Sequence, residues 1–207
     1  MNSGRIIGFI ILGLFLLFFW FLMEKGAEVA PEVPIETVEN EPYGYRFSHS
    51  SGYSMYDHGS EYLSVGTPTE DGFESAVDLI VSENGTDTTF ESFDAFALSR
   101  AQTFCAADGP GESMSCTDIM ERNSFTTESG LKGEELYLTL VRTNLRDGTS
   151  VEGRFGPVFV FDISNHAMGS EYAALFVYEP LYSFFENPNP DLVRDIAASV
   201  ETFEPRR

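Results

Sequence analysis

The stretch AVDLIVSENGTDTTFESFDAFALSRAQTFCA, residues 76–106, changes its hydrophobic period partway along and thereby sets the fold class. Val77, Leu79 and Val81 stand two apart, the spacing of a strand with one buried face. Glu83-Asn84-Gly85 supplies a turn. Beyond it Phe90, Phe93, Ala97, Ala101 and Phe104 recur at intervals of three and four, as on one face of a helix. Thr88 with Glu91 reads as a capping box, so a helix is predicted over 89–106, with Cys105 at its end. An amphipathic helix with an aromatic stripe needs a sheet to lie on.

Upstream, Tyr43, Tyr45 and Phe47 alternate with Gly44, Arg46 and Ser48, the pattern of a first strand. Short apolar pieces at 53–56 and 62–65 follow, separated by a predicted turn at Asp57-His58-Gly59. Downstream, Leu136, Leu138 and Leu140 alternate with Tyr137, Thr139 and Val141, and Asp147-Gly148 marks a turn. Further strands are predicted at 158–163 and 172–178. Asn189 and Pro190 supply an N-cap and a first-turn proline. Leu192, Val193, Ile196, Val200 and Phe203 then form a helical stripe that stops near Pro205. Strands joined by turns pair antiparallel. The expected fold is α+β: a single antiparallel sheet covered by amphipathic helices, occupying 43–205.

Ahead of this domain, residues 6–23 read IIGFIILGLFLLFFWFLM, eighteen apolar residues with Trp20 suited to the headgroup level. They predict one transmembrane helix, an uncleaved signal anchor, with 1–5 as a cytoplasmic tail. A cleaved signal peptide and a buried core helix are the alternatives. Cleavage after Ala27 or Ala30 would set Lys25 or Glu28 two residues upstream, where small residues belong. Arg5 precedes the run, while Glu24, Lys25, Glu28 and Glu32 follow it, so the C-terminal part faces outward. The expected location is the cell membrane, single-pass, with the domain outside the cytoplasm. Residues 26–42 hold five glutamates, three prolines and no Lys or Arg, the composition of an extended acidic stalk.

The chain has 33 Asp and Glu against 12 Lys and Arg, a formal charge of −21. Such a field repels nucleic acid and favours a protein partner with a basic patch. Cys105 and Cys116 are the only cysteines. A pair this close in an exported domain predicts a disulfide, with Gly109, Pro110 and Gly111 turning the chain between them. Cys-x-x-Cys redox spacing is absent.

No catalytic pattern emerges, and no cofactor is expected. Gly52-Tyr53-Ser54-Met55-Tyr56 lacks the second glycine of a nucleophile elbow. His49, His58 and His166 have no partner at metal-ligand spacing. Glu70 with Asp71, or Glu83 with Asp87, offers oxygen to a cation without the pattern of a helix-loop-helix calcium site. Asn84-Gly85-Thr86 fits a glycosylation acceptor. Tyr56, Asp57 and His58 form the densest group of potentially functional side chains, and they are the candidate functional surface.

Gly52-Tyr53-Ser54, the 73–81 strand, the Phe90/Phe93 helix, Gly156-Pro157 with Phe159-Val160-Phe161, and the closing Val200-Glu201-Thr202-Phe203 together resemble the PsbP-like family. That superfamily also contains a Mog-type nuclear-import factor. Here Tyr56 is followed by Asp57 and His58 rather than the family's proline and tryptophan. The resemblance implies a fold whose members bind or support other proteins and share no catalytic site. The expected function is therefore a membrane-anchored extracytoplasmic domain that binds or supports an envelope or surface protein without catalysis. An extracytoplasmic hydrolase, or a small-ligand or cation binder, is the alternative. A cleft holding His58 or His49 beside an acid and a nucleophile would mark it.

Overall fold

The computed structural model describes residues 34–85, 88–167 and 169–205. Within them lie the strands β1 (Ile35–Asn40), β2 (Tyr45–Ser50), β3 (Ser54–Gly59), β4 (Tyr62–Thr69), β5 (Gly72–Glu83), β6 (Ala107–Gly109), β7 (Glu112–Thr126), β8 (Lys132–Asn144), β9 (Ser150–Asp162), β10 (Ala173–Tyr178) and β11 (Glu201–Thr202). The helices are α1 (Phe93–Ala101), α2 (Leu181–Glu186) and α3 (Pro190–Ser199). A 3-10 turn, Gln102–Cys105, extends α1. These elements belong to one unit, Ile35–Arg207.

Antiparallel pairing organises the strands into two sheets, one ordered β3-β4-β5-β10-β9-β8-β7-β6 and the other β1-β2-β11. The larger sheet has a buried core on each face, and β10 lies between the two, with all six residues buried. Ala173, Leu175 and Val177 point into one core, alongside Tyr45 and Phe47 of β2 and Leu192, Val193 and Ile196 of α3. Ala174, Phe176 and Tyr178 point into the other, with Phe96, Ala97 and Ala101 of α1. A strand covered on both faces reads as a continuous apolar run because neither face meets water.

Several expectations are corrected by this arrangement. The single sheet becomes two: β2 buries its alternate residues against the larger sheet instead of joining it, and its neighbours are β1 and β11. Residues 35–40 of the expected stalk are strand β1, from Ile35↔Ser50 to Asn40↔Tyr45. The helix opens at Phe93 rather than at 89. Ser92 Oγ accepts from Ala95 N at 3.2 Å, while Thr88 N donates back to Gly85 O at 3.1 Å. That turn holds Thr88 out of the helix, so Ser92 is the cap.

The expected transmembrane anchor, with the membrane partner and single-pass localisation built on it, is also corrected. No helix among the described residues is long and apolar enough to cross a membrane. Residues 6–23 and 1–5 lie outside the described residues. What stands is an α+β fold of antiparallel sheets with short helices.

Two local devices fix the strand geometry. Gly66 sits at the β4–β5 bulge, where a Cβ would collide with the carbonyl of Glu74. Gly44 has φ +62° and presses against Phe203 O, and its own carbonyl accepts from Phe203 N at 2.7 Å. The second contact ties the end of the chain to the β1–β2 turn.

Glu179 is buried between β10 and α2, where its Oε1 accepts from Asn189 N at 2.8 Å and Ser183 Oγ at 3.2 Å. Burial raises its carboxyl above the usual glutamate value, and those two donors pull it only partly back. The folded state therefore favours neutral Glu179 more than the unfolded chain does. That contribution is present below the unfolded pKa and is lost as pH rises through the folded one. Glu179→Gln keeps the accepting oxygen without the charge. It is expected to raise the urea midpoint at pH 7 and to lose that advantage below the ordinary glutamate range, which paired denaturation curves at the two pH values check.

Candidate functional site

β3 ends the larger sheet, and among the described residues nothing pairs with its outer side. All six of its residues are exposed, including Met55 at 39% and Tyr56 at 50%. The expected turn at Asp57-His58-Gly59 is corrected: these residues belong to β3, and the chain reverses at Ser60-Glu61. Their hydrogen-bonding partner is β4, with Tyr56 opposite Ser64 and Asp57 opposite Leu63.

This register divides the predicted trio. Tyr56 and His58 share one face, with ring centroids 4.7 Å apart. Asp57 Oδ1 accepts from Gly59 N at 2.7 Å, across the bulge at the end of β3. On the Tyr56 face, a row runs through Ser64 of β4 to Asp78 of β5. The Asp78 carboxylate is 3% exposed and accepts three hydroxyls: Ser64 at 2.7 Å, Ser75 at 2.6 Å and Tyr62 at 3.0 Å. Burial, with Asp78 alongside, pushes the Tyr62 phenol up and keeps it a donor. His58 stacks on Tyr62 at 4.1 Å, and Tyr56 lies 5.5 Å from Phe73. The outcome is an open aromatic shelf over a buried, hydrogen-bonded acid.

The grouping of His58, Ser64 and Asp78 is not a nucleophilic triad. A triad places histidine between serine and acid, so that the imidazole takes the serine proton. Here serine is in the middle. Its proton goes to Asp78, and its oxygen lies 3.1 Å from His58 Nε2, positioned to accept from it. His49 is buried, with Nδ1 2.9 Å from Ser50 O. His166 is buried with Nδ1 2.8 Å from Tyr43 O. Among the described residues no group of three His, Cys, Asp or Glu side chains is placed to hold a metal ion. Asn84 is also committed, accepting from Tyr172 N at 2.7 Å, so its buried amide is not presented for glycosylation.

The opposite margin of the sheet is closed by several means. β6 is three residues long, and the rest of β7 carries two register shifts with Asp118, Glu121 and Arg122 along it. Gln102 Nε2 donates to Thr117 O from the 3-10 turn. Arg154 pairs with Glu121 at 2.6 Å and lies 3.5 Å over the Tyr137 ring. The Cys105–Cys116 disulfide fastens the same turn to β7. A concavity of about 850 Å³ near the β8–β9 tip contains Arg142, already paired with Glu112 at 2.5 Å.

Asp78, Ser64, Ser75 and Tyr62 were not singled out by sequence reasoning. Asp78 interrupts an apolar strand, and that buried-position acid was the available signal. No family model matches this chain. No curated protein matches it. Among solved structures it is similar to the solution structure of cyanobacterial PsbP (CyanoP) from Synechocystis sp. PCC 6803. That match is 11% identical, covers 86% of this chain and 96% of that one, and has a TM-score of 0.39. It is a weak, partial likeness, consistent with a distant family resemblance only.

Proposed function

We propose that this chain is a non-catalytic binding domain that receives an extended polypeptide segment along β3. The observation that carries this reading is the contrast between the two margins of the sheet. β7 is guarded by two register shifts, charge pairs and a side-chain cap, whereas β3, bulged only at its end between Asp57 and Gly59, offers an unpaired backbone edge without Lys, Arg or Pro. An edge of this kind is a template for strand addition, in which main-chain hydrogen bonds provide affinity and alternate side chains provide selectivity. Met55 on one face and Tyr56 with His58 on the other are the side chains an added strand meets first. The Cys105–Cys116 disulfide supports an oxidising, extracytoplasmic setting.

Met55 and Met120 are both exposed, one on each margin, and so provide a matched test. A photo-cross-linking residue replacing Met55 is expected to give a discrete adduct in the native host, while the same residue replacing Met120 gives none. Adducts from position 120 alone would reverse the assignment.

A further inference from the structure

We infer that the β3 edge selects a segment carrying an arginine side chain, whose guanidinium seats on the shelf formed by Tyr56, His58 and Phe73. This inference rests on the strand-addition reading and adds its chemical selectivity. Tyr56 stands between the other two rings, 4.7 Å from His58 and 5.5 Å from Phe73, and is half exposed. Flat aromatic faces open to solvent attract a planar cation through the ring quadrupole.

The charge around the shelf points the same way. Residues 47–99 contain ten Asp and Glu and no Lys or Arg, so β3, β4 and β5 carry no positive charge from lysine or arginine. None of the ion pairs among the described residues involves Asp57, Glu61, Glu70, Asp71 or Glu74. These carboxylates lie on or beside the three strands, and Asp78 adds a buried negative charge beneath the shelf. A strand added beside β3 projects every second side chain over the Tyr56 face, which is where a cation would meet both rings and field. Arginine fits better than lysine because its guanidinium stacks on rings while keeping donors for carboxylates.

The test uses the full chain and a fluorescent peptide of alternating threonine and valine with one central arginine. Three changes are compared by anisotropy: citrulline for arginine, N-methylation of alternate peptide backbone nitrogens, and Tyr56→Leu in the protein. The arginine peptide is expected to bind, with citrulline and Tyr56→Leu each weakening it roughly five-fold. Tyr56→Leu should leave the citrulline peptide unchanged. N-methylation on the edge-facing side should abolish binding of both peptides. Equal binding of arginine and citrulline peptides that N-methylation still abolishes would overturn the arginine site and leave strand addition standing. Binding that survives N-methylation in both registers, or no binding by any peptide, would overturn both. Circular dichroism of Tyr56→Leu verifies that the exposed substitution leaves the fold intact.

Discussion

Replacing Phe176 by alanine is expected to remove about 3–5 kcal/mol of stability, the range for a fully buried aromatic side chain. Phe176 is 0% exposed at the centre of β10, hydrogen-bonded between β5 and β9. Its ring meets Phe104 edge-on at 5.0 Å, and Phe104 in turn stacks on Tyr178 at 4.2 Å. Truncation would remove the transfer energy of the ring and leave a cavity beneath α1 and the 3-10 turn. A rigid ladder cannot collapse into that space without breaking the register of two strand pairs. The exposed Phe185, 47% accessible, is the control: its alanine variant should change stability by less than about 1 kcal/mol. Urea denaturation of both variants, with the disulfide intact, measures the difference.

The paired substitution Cys105→Ala and Cys116→Ala is expected to lose about 2–3 kcal/mol in the chain-entropy account of a short closed loop. The two residues are eleven apart in sequence, with Cα atoms 5.7 Å apart. Both sulfurs are buried in the core beneath α1, so alanine, which adds no hydroxyl, is the appropriate replacement. The loss should be largest at the junction of the 3-10 turn with β7, because that is where the bond fastens a helical turn to a strand. β3 lies at the opposite end of the sheet order. Peptide binding there should persist in the folded fraction of the double variant. Chemical denaturation with and without reductant measures the stability term, and anisotropy measures the binding.

The elements that could be read from sequence are those with one buried face. Leu136, Leu138 and Leu140 keep a period of two because β8 lays that face beneath α1. Leu192, Val193 and Ile196 keep a helical period because α3 has a buried side and a wet side, and Asn189 caps it through Leu192 N at 3.1 Å. β7 lacks such a signature. Its sequence ESMSCTDIMERNSFT is mostly polar, and the strand is held by pairing with β8 rather than by burial. Residues 35–40 suit a stalk for the same reason: Glu36 and Glu39, flanked by Pro34 and Pro42, fit an extended chain, and strand and stalk are both extended. Only its pairing with β2 separates the two, and pairing is not written in local periodicity.

The candidate surface was legible in part. Tyr56, Asp57 and His58 stood out by composition, but their placement in a turn was wrong because Gly59 marks a bulge in β3 rather than the turn's centre. Asp78 and its three hydroxyl donors come from two strands. Ser64 stands directly opposite Asp78 in the ladder, while Ser75, three residues before Asp78, lies beyond the β4–β5 bulge at Gly66, which no spacing rule anticipates.

Amide hydrogen–deuterium exchange of the full chain, with and without the arginine peptide, tests strand addition at β3 most directly. Added as a strand, the peptide should slow the outward-facing amides of 54–59 by at least about tenfold, leaving 118–124 on β7 at their free rates. Protection of β7 or another surface, with β3 still exchanging at its free rate, would contradict the account.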